Sequence, residues 1–226
     1  SVNGEGGAMN LQYNSVSMVT DCTFMDNTAL YGGGIFTWTG SCTVSGCTFS
    51  ENTANFFGGG MWNLLNNPVI TNCTFTNNTA EKGGGMRNDE SSPTLTNCTF
   101  DNNTADTGGG MFNDDNTSPI LDNCAFTDNT ATYEGGGMFN DSNSNPNLTS
   151  CMFTDNVADN GGGGMYSAYY CAPVLTDCHF AHNTTDGFGG GMWNNENTTP
   201  MLEGCSFNGN SATDGGGMYN HTSNQN

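Results

Sequence analysis

Positive charge is almost missing from this sequence of 226 residues. Lys82 and Arg87 stand against 22 aspartates and glutamates, for a formal net charge of −20. A surface of that sign is repelled by nucleic acid and by anionic membranes, which removes both from the list of partners. Histidine is scarce as well, at positions 179, 182 and 221 only, so acid–base catalysis has few groups to draw on. Also lacking is any apolar run long enough to cross a bilayer, and direct membrane insertion is not expected. No leader peptide is visible and the chain opens on Ser1, which reads as a processed or excerpted part of a longer chain. Charged residues of both signs make up 11% of the total, and the polarity comes instead from Asn, Thr, Ser and Gly. Composition of this kind, taken alone, describes a disordered chain. Together with the shortage of lysine and arginine it also suits an extracellular or cell-surface location.

What is present overrules disorder, because it recurs at fixed spacing. Aligned on the glycine runs, Met9, Ile35, Met61, Met86, Met111, Met138, Met165, Met192 and Met218 fall in one column, 25–27 residues apart. A second column is cysteine throughout, from Cys22 to Cys205; phenylalanine follows two residues later, from Phe24 to Phe207, and asparagine three beyond that, from Asn27 to Asn210. All six prolines share a further column, five residues before the cysteine. The whole chain, 1–226, is therefore a single repeat array rather than a set of closed domains.

Helical repeats are excluded by the recurring Gly runs, Asn and, in six periods, Pro, and leucine-rich repeats by the scarcity of leucine. What remains is short strands joined by tight bends. "PTLTNCTF" reads as strand, bend, strand, with Leu95, Cys98 and Phe100 inward. The residue before each cysteine is Asp, Asn or Gly, apart from Ser150, as a left-handed bend requires. The glycine run with its methionine, "GGGMxN", reads as a third strand. Each period is then one coil of a parallel β-solenoid, hydrogen-bonded to its neighbours at about 4.8 Å, all-β, with about eight to nine coils. Burying one Leu, one Phe and one Met per coil contributes roughly 1.5–3 kcal/mol each, which offsets the ordering of a coil only when neighbours cover both its faces.

The motif pair F-x-x-N and G-G-G-[M/I], here "FMDN", "FSEN", "FTNN", "FDNN", "FTDN", "FTDN", "FAHN" and "FNGN" with their glycine runs, resembles the repeats of the chlamydial polymorphic membrane proteins. The resemblance covers essentially the whole chain. It implies a right-handed parallel β-helix, exposed at a cell surface and linked to adhesion.

Four groups of residues are candidates for function. The position after the methionine column holds Phe36, Trp62, Arg87, Phe112, Phe139, Tyr166, Trp193 and Tyr219; strand alternation turns it outward if the methionine is inward. An exposed aromatic stripe suits sugar stacking or docking of another protein, while the same rings also stabilise adjacent coils by stacking on one another. Arg87 sits between Trp62 and Phe112, within cation–π reach. Asp89, Glu90, Asp114, Asp115 and Asp141 occupy one loop in three successive coils. At about 5 Å such charges repel unless water solvates the edge or a cation bridges it, and oxygen ligands of this kind suit Ca²⁺. The cysteine ladder is expected to be buried thiols, since in-register parallel rungs hold the Cβ atoms too far apart for disulfides; Cys42, in the proline column, and Cys171 are about five coils apart and cannot pair with each other. Of the N-x-[S/T] sequons, Asn116 and Asn197 in protruding loops are the better glycosylation candidates, followed by Asn77 and Asn102, whereas Asn140, Asn183 and Asn220 fall in inward columns. Outward threonines such as Thr74 and Thr99 suggest ice binding, but their column breaks at Ala125, Met152 and His179.

The expectation is an extracellular structural or adhesive solenoid, a stalk or fibre subunit without catalysis. It would associate with itself end to end or laterally, or with a glycan or a host or cell-surface protein. The alternative is a β-helix that binds or cleaves carbohydrate through the aromatic column.

Overall fold

The computed structural model describes residues 4–221. Coil 1 is numbered from Met9, coil 2 from Ile35, coil 3 from Met61, and so on to coil 8 at Met192. Coil 4 shows the pattern. Its strands are Met86–Asp89, Thr94–Thr96, Thr99–Asp101 and Thr104–Thr107. Each pairs in parallel and in register with the coils on either side: Met86 with Met61 and Met111, Leu95 with Ile70 and Leu121, Phe100 with Phe75 and Phe126, and Ala105 with Ala80 and Ala131. Among the described residues the strands form three sheets, of 15, eight and seven strands. They are called here the Met/Leu, Phe and Ala sheets after the inward residue. No helix occurs among these residues, so none is long and apolar enough to cross a membrane.

The proline column decides why one sheet has two arms. In coils 1 and 2 that column holds Ser17 and Cys42, and the strands Met9–Thr20 and Ile35–Ser45 run through it unbroken. From coil 3 onward proline stands there, with no amide hydrogen to give to a ladder. The chain accordingly splits into a Met strand, a turn and a Leu strand, as in Met61–Leu64 and Val69–Thr71.

The bends before the cysteines are where the sequence placed them, with φ of 52° at Asp21, 53° at Asn97 and 52° even at Ser150. A second left-handed bend, not anticipated, precedes each ladder asparagine, at Asn77 (55°), Asn102 (52°) and His182 (56°) among others. The expected glycine-run strand needs correction. The strand starts at the methionine, and the glycines form a bend whose first member is left-handed, as at Gly83 with φ +69°. The other two glycines let successive coils touch backbone to backbone: a Cβ on Gly84 would stand 2.5 Å from the carbonyl oxygens of Gly109 and Thr104. The Ala strand was not expected either.

The interior is dry and columnar. Val44, Ile70, Leu95, Leu121, Leu148 and Leu175 are buried, as are Phe49 to Phe180 and Met61 to Met192 in their columns. Phe75 and Phe100 stack with centroids 4.8 Å apart and planes 4° apart. The ten cysteines are free thiols, and Cys73 donates to the carbonyl of Thr71 at 3.2 Å. Cys42 and Cys171 are buried, and burial pushes them up to about 11 and about 12.

Two amide ladders satisfy the polar groups that the coils bury. Asn103 donates its side-chain amide to Phe75 O at 2.9 Å and to Asn129 Oδ1 at 3.0 Å, while its own Oδ1 accepts from the backbone and side chain of Asn78. The second ladder, two residues after the methionine, links Asn63, Asn88, Asn113 and Asn140 at 2.9 Å per rung. Asn140 and Asn183 are buried as expected; Asn220, in the last described coil, is exposed, although its Oδ1 accepts from Asn194 Nδ2 at 2.8 Å.

Candidate functional site in the glycine elbow

The aromatic column follows directly from the glycine bend. Strand alternation turns the residue after each methionine away from the core. The left-handed first glycine then folds the end of the Ala strand back over it. The column just before the glycines (Tyr31, Phe57, Lys82, Glu134, Gly161 and Phe188 among its members) forms one wall of a concave elbow. The turn after the Met strand forms the other, and the aromatic column is the floor.

This overturns the expected exposed stripe. Phe36, Trp62, Arg87, Phe112, Phe139 and Tyr166 point outward yet are buried, none more than 8% exposed. Trp193 and Tyr219, towards the far end, are half-buried. Phe112 and Phe139 stack at 4.8 Å with planes 4° apart, Tyr166 follows at 4.8 Å and Trp193 at 4.7 Å. The walls add to this: Phe57 and Tyr31 lie 5.4 and 5.0 Å from Trp62, and Phe188 lies 4.7 Å from Tyr219. Phe112, Phe139, Tyr166 and Ala168, with Trp193 packed against them, form a second hydrophobic cluster, separate from the interior. Self-stacking is therefore what most of this column does.

Arg87 replaces a ring within the stack. Its guanidinium carbon lies 3.8 Å from the Phe57 ring centre and 4.8 Å from that of Phe112, so the wall residue Phe57, not Trp62, is its second aromatic partner. Nε and Nη2 fork onto Asp89 at 2.6–2.9 Å, and Nη2 reaches Asp114 at 3.2 Å. Trp62 Nε1 donates to the same Asp89 carboxylate at 2.5 Å. The chain's other cation, Lys82, sits 5.1 Å over the Phe112 ring.

Two of the five loop carboxylates have a cationic partner within the chain. Arg87 engages Asp89 and Asp114, Glu90 is exposed, and among the described residues no three ligating side chains converge on one point. The Asp114 charge and, after it, burial raise Asp115; burial foremost, then Asp114, raises Asp141. Arg87 thus neutralises part of the acidic loop in which the sequence suggested a cation.

Over coils 5 to 8 the elbow carries a different set of groups. Glu134 on the wall is half-buried, and burial raises its carboxyl. The Tyr166 hydroxyl on the floor accepts from Asn195 Nδ2 at 3.1 Å and is pushed up to about 12, chiefly by burial. Gly161 has no side chain where a Cβ would stand 2.1 Å from the Trp193 indole, which leaves the indole its room. On the opposite turn Tyr169 and Tyr170 take left-handed φ of 50° and 67° and are exposed. Neighbouring coils fill these two positions with Ser142–Asn143 and Glu196–Asn197. Sequence reasoning missed Glu134, Asn195 and Tyr169; the signal was the unlike residues in the column before the glycines and a Tyr-Tyr pair in a column of asparagines. The glycosylation candidates Asn77, Asn102, Asn116 and Asn197 are all exposed on left-handed bends, and Asn102 donates to Asn77 at 2.5 Å.

The sequence model of a family described as "Right handed beta helix region" matches residues 10–158. The chain belongs to the right-handed β-helix family. No curated protein matches it. Membership fixes the architecture, while the family spans enzymes and non-enzymes and chemistry has to be read from the site.

Proposed function

We propose that this right-handed β-helix is an extracellular or cell-surface structural element, a stalk or fibre module with an adhesive outer surface and no catalytic role. One observation carries the reading: from coil to coil, the side chains that usually do chemistry are engaged with the stack itself. Thiols donate to carbonyls, amides to amides, and the arginine to Asp89. Such a molecule is a scaffold whose rigidity is its product. Immunolabelling of intact source cells and electron micrographs of purified protein test it. Surface label with straight filaments or bundles is expected; an intracellular pool of strictly monomeric rods at high concentration counts against it.

A second reading concerns carbohydrate. Trp193 and Tyr219 are half-buried and Tyr169 is exposed, and the Glu134 carboxyl lies in the same elbow near Tyr166; aromatic faces and a carboxyl suit a sugar ring and its hydroxyls. Specific glycan binding that Trp193→Ala abolishes would favour it. Trp62→Ala is not a useful probe, because Trp62 is buried and its loss tests stability.

A further inference from the structure

Both basic side chains of this acidic molecule stand in one stretch of the elbow. Around coils 3 to 5, Lys82 on the wall and Arg87 in the floor each lie against an aromatic face, and Arg87 pairs with Asp89 and Asp114 on the turn. Rings, carboxylates and cations are complete there within the chain. Over coils 5 to 8 the first two recur and the third does not. Phe139, Tyr166 and Trp193 continue the floor. Two rungs along the wall from Lys82 stands Glu134, with Glu196 on the opposite turn. Both glutamates act on two hydroxyls: they help raise Tyr166, where burial is the larger cause, and Tyr169, where Glu196 is foremost. Among the described residues neither glutamate has an ion-pair partner.

Two details of Trp193 complete the arrangement. Gly161 pairs with Glu134 on one side and Phe188 on the other, and a Cβ on Gly161 would stand 2.1 Å from Cε3 of the indole. The indole therefore lies about one rung, roughly 5 Å, from the backbone that carries Glu134, within the span of a sugar ring. Its N–H, on the edge away from Gly161, is buried with no acceptor in the chain, whereas the Trp62 N–H of the same column donates to Asp89. A hydroxyl brought by a ligand would satisfy it.

We infer that the elbow of coils 5 to 8 binds an oligosaccharide of protonated amino sugars, with an ammonium on Glu134, a ring face on Trp193 and a hydroxyl on the indole N–H. The amine takes the part that Lys82 and Arg87 play within the chain around coils 3 to 5. Charge argues against the other sugar classes. An acidic polysaccharide meets Glu134, Glu196 and a net charge of −20. A neutral one brings no charge to a half-buried carboxylate. The inference rests on the carbohydrate reading and adds the charge of the sugar.

Calorimetric titration at about pH 6, where amines are protonated, tests it with tetramers of glucosamine, N-acetylglucosamine and glucose, and with tetralysine. The glucosamine tetramer is expected to bind at least about tenfold tighter than the other three and to weaken with salt. Glu134→Gln should weaken it about tenfold and leave the uncharged sugars within about twofold. Glu134→Lys, a residue the wall already holds at Lys82, should abolish amine binding with an unchanged circular dichroism spectrum. Trp193→Ala should weaken every sugar. An uncharged sugar that binds as tightly as the glucosamine tetramer overturns the inference and leaves the carbohydrate reading intact. Tetralysine binding equally well, or glucosamine binding indifferent to the Glu134 or Trp193 variants, overturns it too. Failure of all three sugars to bind overturns both.

Discussion

Two buried residue types illustrate how single side chains hold this molecule. The Asn103 side chain donates to the Phe75 carbonyl and to Asn129 Oδ1, and its Oδ1 accepts from the backbone and side-chain amides of Asn78, all at once. Asn103→Ala would leave buried donors and acceptors without partners on two coils. A loss of about 3 kcal/mol or more is expected in urea unfolding, and Asn103→Asp should not restore it, since a carboxylate has no N–H to give to Phe75 O. Glu134 sets a pH dependence. Burial raises its folded-state pKa above the ordinary 4.5. The folded state thus holds the proton more tightly than the unfolded chain. The stability linked to that proton is full below the unfolded value and is lost as pH rises through the folded one. Glu134→Gln should therefore lose less stability than the parent between about pH 4 and pH 7, as read by thermal midpoints in matched buffers. General acid–acid repulsion affects both proteins alike and cancels in the comparison.

At the level of the element, the glycine run is the tightest constraint. A Cβ on Gly85 would lie 2.6 Å from Gly110 O and 2.8 Å from the Phe100 ring. Neither backbone nor stacked ring can yield within a ladder, and Gly85→Ala is expected to cost about 3 kcal/mol or more in chemical unfolding. The run was legible as a column but was read as a strand, because its alternation with Met and Asn imitates a period of two. Only the left-handed φ at each first glycine shows that it bends. The Ala strand went unread for another reason. Ala80 and Ala105 are inward but small, and a threonine–alanine pair gives little hydrophobic contrast against a threonine-rich background.

For the whole molecule, contacts run between neighbouring coils, so the array should tolerate loss of a unit. Deleting residues 98–123 joins Asn97 to Cys124, keeps every column in phase and removes Arg87's neighbour Phe112. The shortened protein is expected to fold with its β-spectrum intact and to be shorter by about 5 Å in small-angle scattering. Aggregation of this variant with loss of that spectrum would show that the coils are not exchangeable.

The sequence alone determined the parallel solenoid, the inward Leu, Cys, Phe, Met and Asn columns and the bend before each cysteine. A side chain repeated at one spacing can only satisfy its neighbours by stacking on itself. It could not determine what covers the outward aromatic column, because that depends on the angle through which Gly83 and its equivalents turn the chain. Only the tertiary structure brings Phe57 onto Arg87 and Glu134 into the elbow beside Tyr166. Alternation along a strand tells inside from outside, but whether an outward residue meets water is decided by another strand, folded back from a different part of the same coil.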